Sequence, residues 1–189
     1  MVMESCYWRA ELRRDLAWLK KHQKYLRWSE KQVVLFERKL MLVAFQVRSL
    51  LERPKVNDQA RKSEMPAIRF KKMGNQPFTF IGAGWPEDRF ELEKPEKTML
   101  PIMSVCNQLI HYYWMQTYCE NKSFSSLLVF SDYSRNNFAY QFEISEILKL
   151  FRIFGDNSSA VVRLSMVWSE KKQDYIIEEA IGKDDFRKE

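Results

Sequence analysis

Along the first fifty residues the apolar positions recur every three or four. Leu12, Leu16, Leu19 and Leu26 fall on one side of a first helix, and Val33, Phe36, Leu40, Val43, Val47 and Leu50 carry the spacing through a second. Between them, "SEKQ" forms a capping box: Ser29 can accept from first-turn amides while Gln32 reaches back to the cap. The second stripe has no gap, so it is a seam for packing against another helix. Residues 6–52 therefore predict an antiparallel αα-hairpin.

The pattern then changes. Arg53–Pro66, "RPKVNDQARKSEMP", is polar, aperiodic and rich in breakers, which predicts a linker. "AIRFKKM" and "FTFIG", separated by "GNQP", predict a hairpin of strands. A long helix is expected over about Glu96–Glu120. Its uncharged part, Leu100–Cys119, is long enough to span a membrane, but Ser104, Asn107, Gln108, His111, Gln116 and Thr117 make it too polar to insert. It reads as a helix buried in protein.

Further on, "FSSLLVFS" and "FAYQFEI" flank the polar turn "DYSRNN", and Phe138, Tyr140, Phe142 and Ile144 alternate with Ala139, Gln141 and Glu143. Ser145 is expected to cap a short helix, "EILKLFRIF", ended by Gly155. "AVVRLSMVW" and "YIIEEA" around "SEKKQD" predict a last hairpin, followed by a charged tail. The expected fold is α+β. It has a helical hairpin over 1–52, a linker over 53–66 and an antiparallel sheet domain over 67–189, with a long central helix, one short helix and one sheet face covered.

Composition adds a location and a polarity. Three cysteines, Cys6, Cys106 and Cys119, are an odd number without a disulfide-framework spacing, which points to a reducing, cytoplasmic setting. Charged residues from Glu4 to Arg14 interrupt any apolar run of signal-peptide length. Residues 1–62 hold fifteen Lys and Arg against seven Asp and Glu, whereas the remainder holds sixteen against eighteen. The basic character of the chain thus belongs to its helical part. Arg13, Lys20, Lys24, Arg27 and Lys31 recur at helical spacing beside the leucine stripe, with Trp8, Trp18, Tyr25 and Trp28 among them. Such a face can bind an acidic protein, neutralise phosphates or simply stand in solvent; interleaved aromatics can stack on unpaired bases. A protein partner or self-association is the first expectation, nucleic acid the second, and no membrane contact is expected.

Candidate chemistry centres on "CNQLIHYY", Cys106–Tyr113. On a helix Ser104, Asn107, Gln108 and His111 would form one neutral polar stripe, which must meet water, a pocket or other polar groups. The order Asn107, three residues, His111, then Tyr113 resembles the signature of HEPN-type ribonucleases. In that all-helical family an arginine, a polar residue, three variable residues, a histidine and a second-next tyrosine recur, and the arginine and histidine act on the scissile phosphate. The resemblance implies catalytic roles for Asn107, His111 and Tyr113, but Cys106 stands where that family has its cation. Cys106, His111 and Cys119 point in different directions on one helix, so no metal site or cofactor is expected. "GAGWPED" lacks the further glycine or lysine of a phosphate loop. The sequence therefore favours a non-enzymatic binding protein that engages its partner through the basic hairpin. A small hydrolase or nuclease and an oligomeric scaffold are the alternatives.

Overall fold

The computed structural model describes residues 5–24, 29–52, 55–79, 81, 85, 88–156 and 160–182. Helices α1 (Ser5–His22) and α2 (Glu30–Leu51) form the expected hairpin. Ser29 caps α2 with both halves of the box present, its Oγ accepting from the Gln32 amide while its own amide donates to Gln32. The two helices run antiparallel, with Lys39 in the first half of α2 over Trp18 late in α1 and Lys55 just past α2 over Trp8 early in α1; between them Asp15 accepts from Lys39 and Gln46, each at 2.9 Å. The seam residues Phe36, Leu40, Val43, Val47 and Leu50 are buried inside the monomer. Leu26, Tyr25, Arg27 and Trp28 lie outside the described residues.

Within the expected linker, Val56 and Asn57 are buried, and Asn57 caps a short helix, α3 (Asp58–Arg61). Strand β1 already begins at Glu64 and runs to Lys71. Its neighbours are not "FTFIG". Residues 78, 79 and 81 are not in a strand, and residues 80 and 82 lie outside the described residues. β1 pairs instead with β2 (Glu96–Pro101) and with β5 (Phe138–Glu143).

The expected long helix is the main correction. Residues 96–120 form β2, a nine-residue helix α4 (Ile102–Ile110) and β3 (Tyr112–Glu120), with His111 as the helix cap. Continuous uncharged residues do not by themselves discriminate helix from buried strand. The aromatic and β-branched content of "YYWMQTY" favours a pleated surface and decides the second half. Strand β4 (Ser123–Ser131) follows through a two-residue turn at Asn121 and Lys122, whose φ values of 49° and 58° match the twist of a tight hairpin.

The sheet order is β2-β1-β5-β4-β3, with every neighbouring pair antiparallel. Helices cover one face. Met65, Leu127, Val129 and Phe142 of the sheet share a single apolar core with α1, α2, α4 and α5 (Ile144–Gly155). On the other face, Phe78 and Phe90 from the 72–95 segment lie over Phe70 and Phe130; the Phe78 and Phe130 rings stack at 5.1 Å. Among the described residues, strands β6 (Val161–Ser169) and β7 (Asp174–Gly182) pair only with each other.

Helix α5 starts two residues before expectation, at Ile144 rather than Glu146. Glu143 is its N-cap, without a side-chain bond, and Ser145 sits inside the first turn. Gly155 is its last residue, and its role is close approach: a Cβ there would come within 3.1 Å of the Arg13 side chain. Among the described residues no helix is long and apolar enough to cross a membrane.

Candidate functional site

The carboxyl end of α5 is held by two arginines of α1. Arg9, almost fully buried, donates to the carbonyls of Phe154 and Asp156 at 2.8 Å and to that of Lys55. Arg13 donates to the carbonyl of Gly155. The Phe154, Gly155 and Asp156 carbonyls lie at the helix terminus, where acceptors lack intrahelical partners and cations complement the macrodipole, while that of Lys55 belongs to the segment between α2 and α3. Burial, then the neighbouring Arg13, lowers the pKa of Arg9, and Asp156 offsets part of that.

This clamp sets α1 beside α5 and leaves a groove of about 500 Å³ between them. Arg13 and Lys20 stand on one wall, Lys149 and Arg152 on the other, and Leu16 and Leu148 contribute an apolar floor. Among the described lining residues Asp156 is the one carboxylate. The Lys149 ammonium is 3.7 Å from Glu146 but largely exposed, so that pair is weak and exchangeable. Two of the sequence-predicted binding residues, Arg13 and Lys20, are thus brought together, and α5 supplies two that the sequence reading missed. Lys149 and Arg152 are the polar positions of an amphipathic helix, a signal present in the sequence but silent about what those positions face.

The remaining candidates are elsewhere. Lys24 and Lys31 are exposed and do not line the groove, and Arg27 lies outside the described residues. Of the α1 aromatics, Trp8 and Trp18 pack against the core, while Tyr7 is exposed. Trp18 stacks on His22 at 3.9 Å with Lys39 over its ring, and Lys55 sits over Trp8.

His111, Asn107 and Tyr113 do not converge. His111 ends α4, and its Nε2 lies 3.1 Å from a guanidinium nitrogen of Arg48, which also pairs with Glu52. A guanidinium only donates, so Nε2 accepts and the imidazole proton sits on Nδ1. Tyr133 packs edge-on against the ring. Tyr113 belongs to the opposite face of the sheet, packed into the aromatic layer with the Arg135 guanidinium 3.7 Å from its ring centre. Gln108 accepts from Ser134 at 2.9 Å, while the Asn107 amide oxygen is buried without a hydrogen-bond partner among the described residues. Cys106 is buried, which pushes its thiol pKa up and keeps it protonated. Of the polar stripe, Gln108 and His111 are thus met by protein groups.

A second groove, about 490 Å³, opens over β1, β2 and β5, with Pro66, Ile68 and Met99 against Glu143 and Glu146. Burial, then Glu120 and Glu146, raises the pKa of Glu143. Lys97 also lines this groove, so its two carboxylates leave it weakly acidic where the α1/α5 groove is strongly basic. Among the described residues no three His, Cys, Asp or Glu side chains gather as metal ligands. No protein-family model, curated protein or solved structure matches the chain.

Proposed function

We propose that this is a non-enzymatic, cytoplasmic binding protein that holds an acidic, amphipathic segment of a protein partner in the groove between α1 and α5. The observation that carries the reading is the groove's composition, with cations on both walls and leucines between them. Basic rims attract carboxylates and set the approach, while an apolar floor rewards the partner's apolar stripe. Phosphates would also be attracted, but single-stranded nucleic acid gains most from ring faces on which bases stack. Trp8 and Trp18 are engaged elsewhere.

Fluorescence anisotropy with a labelled Glu- and Leu-rich helical peptide tests this, with single- and double-stranded oligonucleotides as competitors. We expect peptide binding that weakens with salt and falls about tenfold or more in Lys20→Glu/Arg152→Glu. Lys31→Glu, outside the groove, should change it by less than about twofold. Preference for the oligonucleotides, or no response to the double variant, would overturn the reading.

The hydrolase alternative has one observation on its side: Arg48 brings a cation to His111, where the motif itself offers Cys106. That same contact occupies the Nε2 lone pair a general base would use. His111→Asn is expected to cost about 1 kcal/mol of stability, the loss of one such hydrogen bond. Partner binding should persist. An RNA-cleaving activity of the wild type that disappears in this variant, at an unchanged melting temperature, would favour the alternative.

A further inference from the structure

The two edges of the five-stranded sheet differ in how they are guarded. At one edge, β2 is six residues long, carries Glu96 and Lys97, and ends at Pro101. Charge, shortness and proline are the usual ways to stop a strand from recruiting another chain. At the other edge, β3 runs nine residues with no charge before Glu120 and no proline. Among the described residues β3 has no strand neighbour on its outer side.

The strand is also symmetric about its centre. Its register with β4 shifts between Tyr112 and Trp114 and again between Tyr118 and Cys119, so the regular part is Trp114–Tyr118 and its midpoint is Gln116. Within it, Trp114, Gln116 and Tyr118 pair with residues on or beside the aromatic face, while Met115 and Thr117 pair with Val129 and Leu127 on the helical face.

We propose that β3 is a self-association edge, pairing antiparallel with β3 of a second copy about a twofold axis at Gln116. Both regular stretches then align in full. Trp114 of each copy faces Tyr118 of the other, a favourable cross-strand aromatic pair, and Met115 faces Thr117. No like charges meet. A twofold normal to the sheet keeps both helical layers on one face and both aromatic layers on the other, giving ten continuous strands. Five paired residues put the contact in the small, transient class, so the dimer is concentration-dependent and in the micromolar range. The occupant is a second copy because the regular stretch Trp114–Tyr118 is uncharged and complementary to itself; an acidic or basic partner strand would find no opposite charge along it.

Only a residue on the axis meets itself, and this makes the test specific. In sedimentation velocity across a concentration series, the wild type should dimerise. Gln116→Lys and Gln116→Glu should each weaken the dimer about tenfold or more, because like charges then stand directly opposite. An equimolar mixture of the two should restore it. A wild type that stays monomeric at the highest soluble concentration overturns the proposal. So does a dimer indifferent to both substitutions, which would place the interface elsewhere, for example on the exposed Met166, Trp168 and Tyr175 of the β6–β7 hairpin. So, too, does a mixture that fails to re-associate. Should either variant lose its native circular dichroism, Gln116→Cys with Cys6 and Cys119 changed to Ser reads the same register: a disulfide-linked dimer forms on oxidation if β3 self-pairs, and none forms if it does not.

Discussion

Leu40→Asp is expected to abolish cooperative folding. Leu40 is fully buried at the centre of the seam between α2 and the rest of the core. A carboxylate there has no compensating partner, which costs on the order of 4 kcal/mol, and the lost leucine burial adds about 2 more. That sum is comparable to the whole stability of an ordinary domain, about 5–15 kcal/mol. Circular dichroism during a thermal melt reads the result directly. Val34→Asp on the outward face of the same helix, where the side chain is 53% exposed, should shift stability by no more than about 0.5 kcal/mol. A Leu40→Asp variant that melts like the wild type would mean that this position is not enclosed by the chain.

Arg9→Met should be the next most damaging change. Methionine keeps length and apolar volume but leaves the carbonyls of Phe154, Asp156 and Lys55 without their guanidinium donors. Unsatisfied acceptors in a buried site cost about 1–3 kcal/mol each before relaxation, so a net loss of about 3 kcal/mol is expected. For a chain of this length that corresponds to a melting temperature lower by roughly 6–12 °C. Arg9→Lys should recover little of it, since one ammonium cannot span three carbonyls from two segments. Differential scanning calorimetry separates these values. If Arg9→Met proved neutral, solvent would have to be reaching those carbonyls. The groove between α1 and α5 rests on the same clamp, so a destabilised Arg9→Met protein should also bind the acidic peptide more weakly even though Arg9 does not line the groove.

Local patterns carried much of the fold. The three–four spacing in α2 and the Ser29 and Gln32 box defined a helix and its start, because both depend only on neighbours within one turn. Strict alternation from Phe138 to Phe142 identified β5 in the same way. The stretch 96–120 failed where local signals were ambiguous. An uncharged run serves a buried helix or a strand covered on both faces equally well, and the break at His111 is set by packing. His111 stops α4 where its backbone carbonyl accepts from Asp132 and its ring meets Arg48 and Tyr133, partners from distant parts of the chain.

The candidate site divides along the same line. That Arg13 and Lys20 share a helical face follows from the 3.6-residue period alone, and so does the placement of Lys149 and Arg152 on the polar side of α5. That the two basic faces flank one groove follows from neither, because it depends on Arg9 and Arg13 closing the end of α5 across more than 140 residues of chain. Amphipathic pattern, the Ser29 and Gln32 box and the excess of cations in the first third of the chain are therefore properties this sequence determines by itself, whereas the start of α5, expected at Ser145, was not among them. Which faces meet was decided by the tertiary structure. The apolar stripes are interchangeable as partners until side-chain volume, helix-end hydrogen bonding and sheet order select one arrangement, and only that arrangement turns Trp8 and Trp18 toward the core, separates His111 from Tyr113 and leaves β3 at an edge.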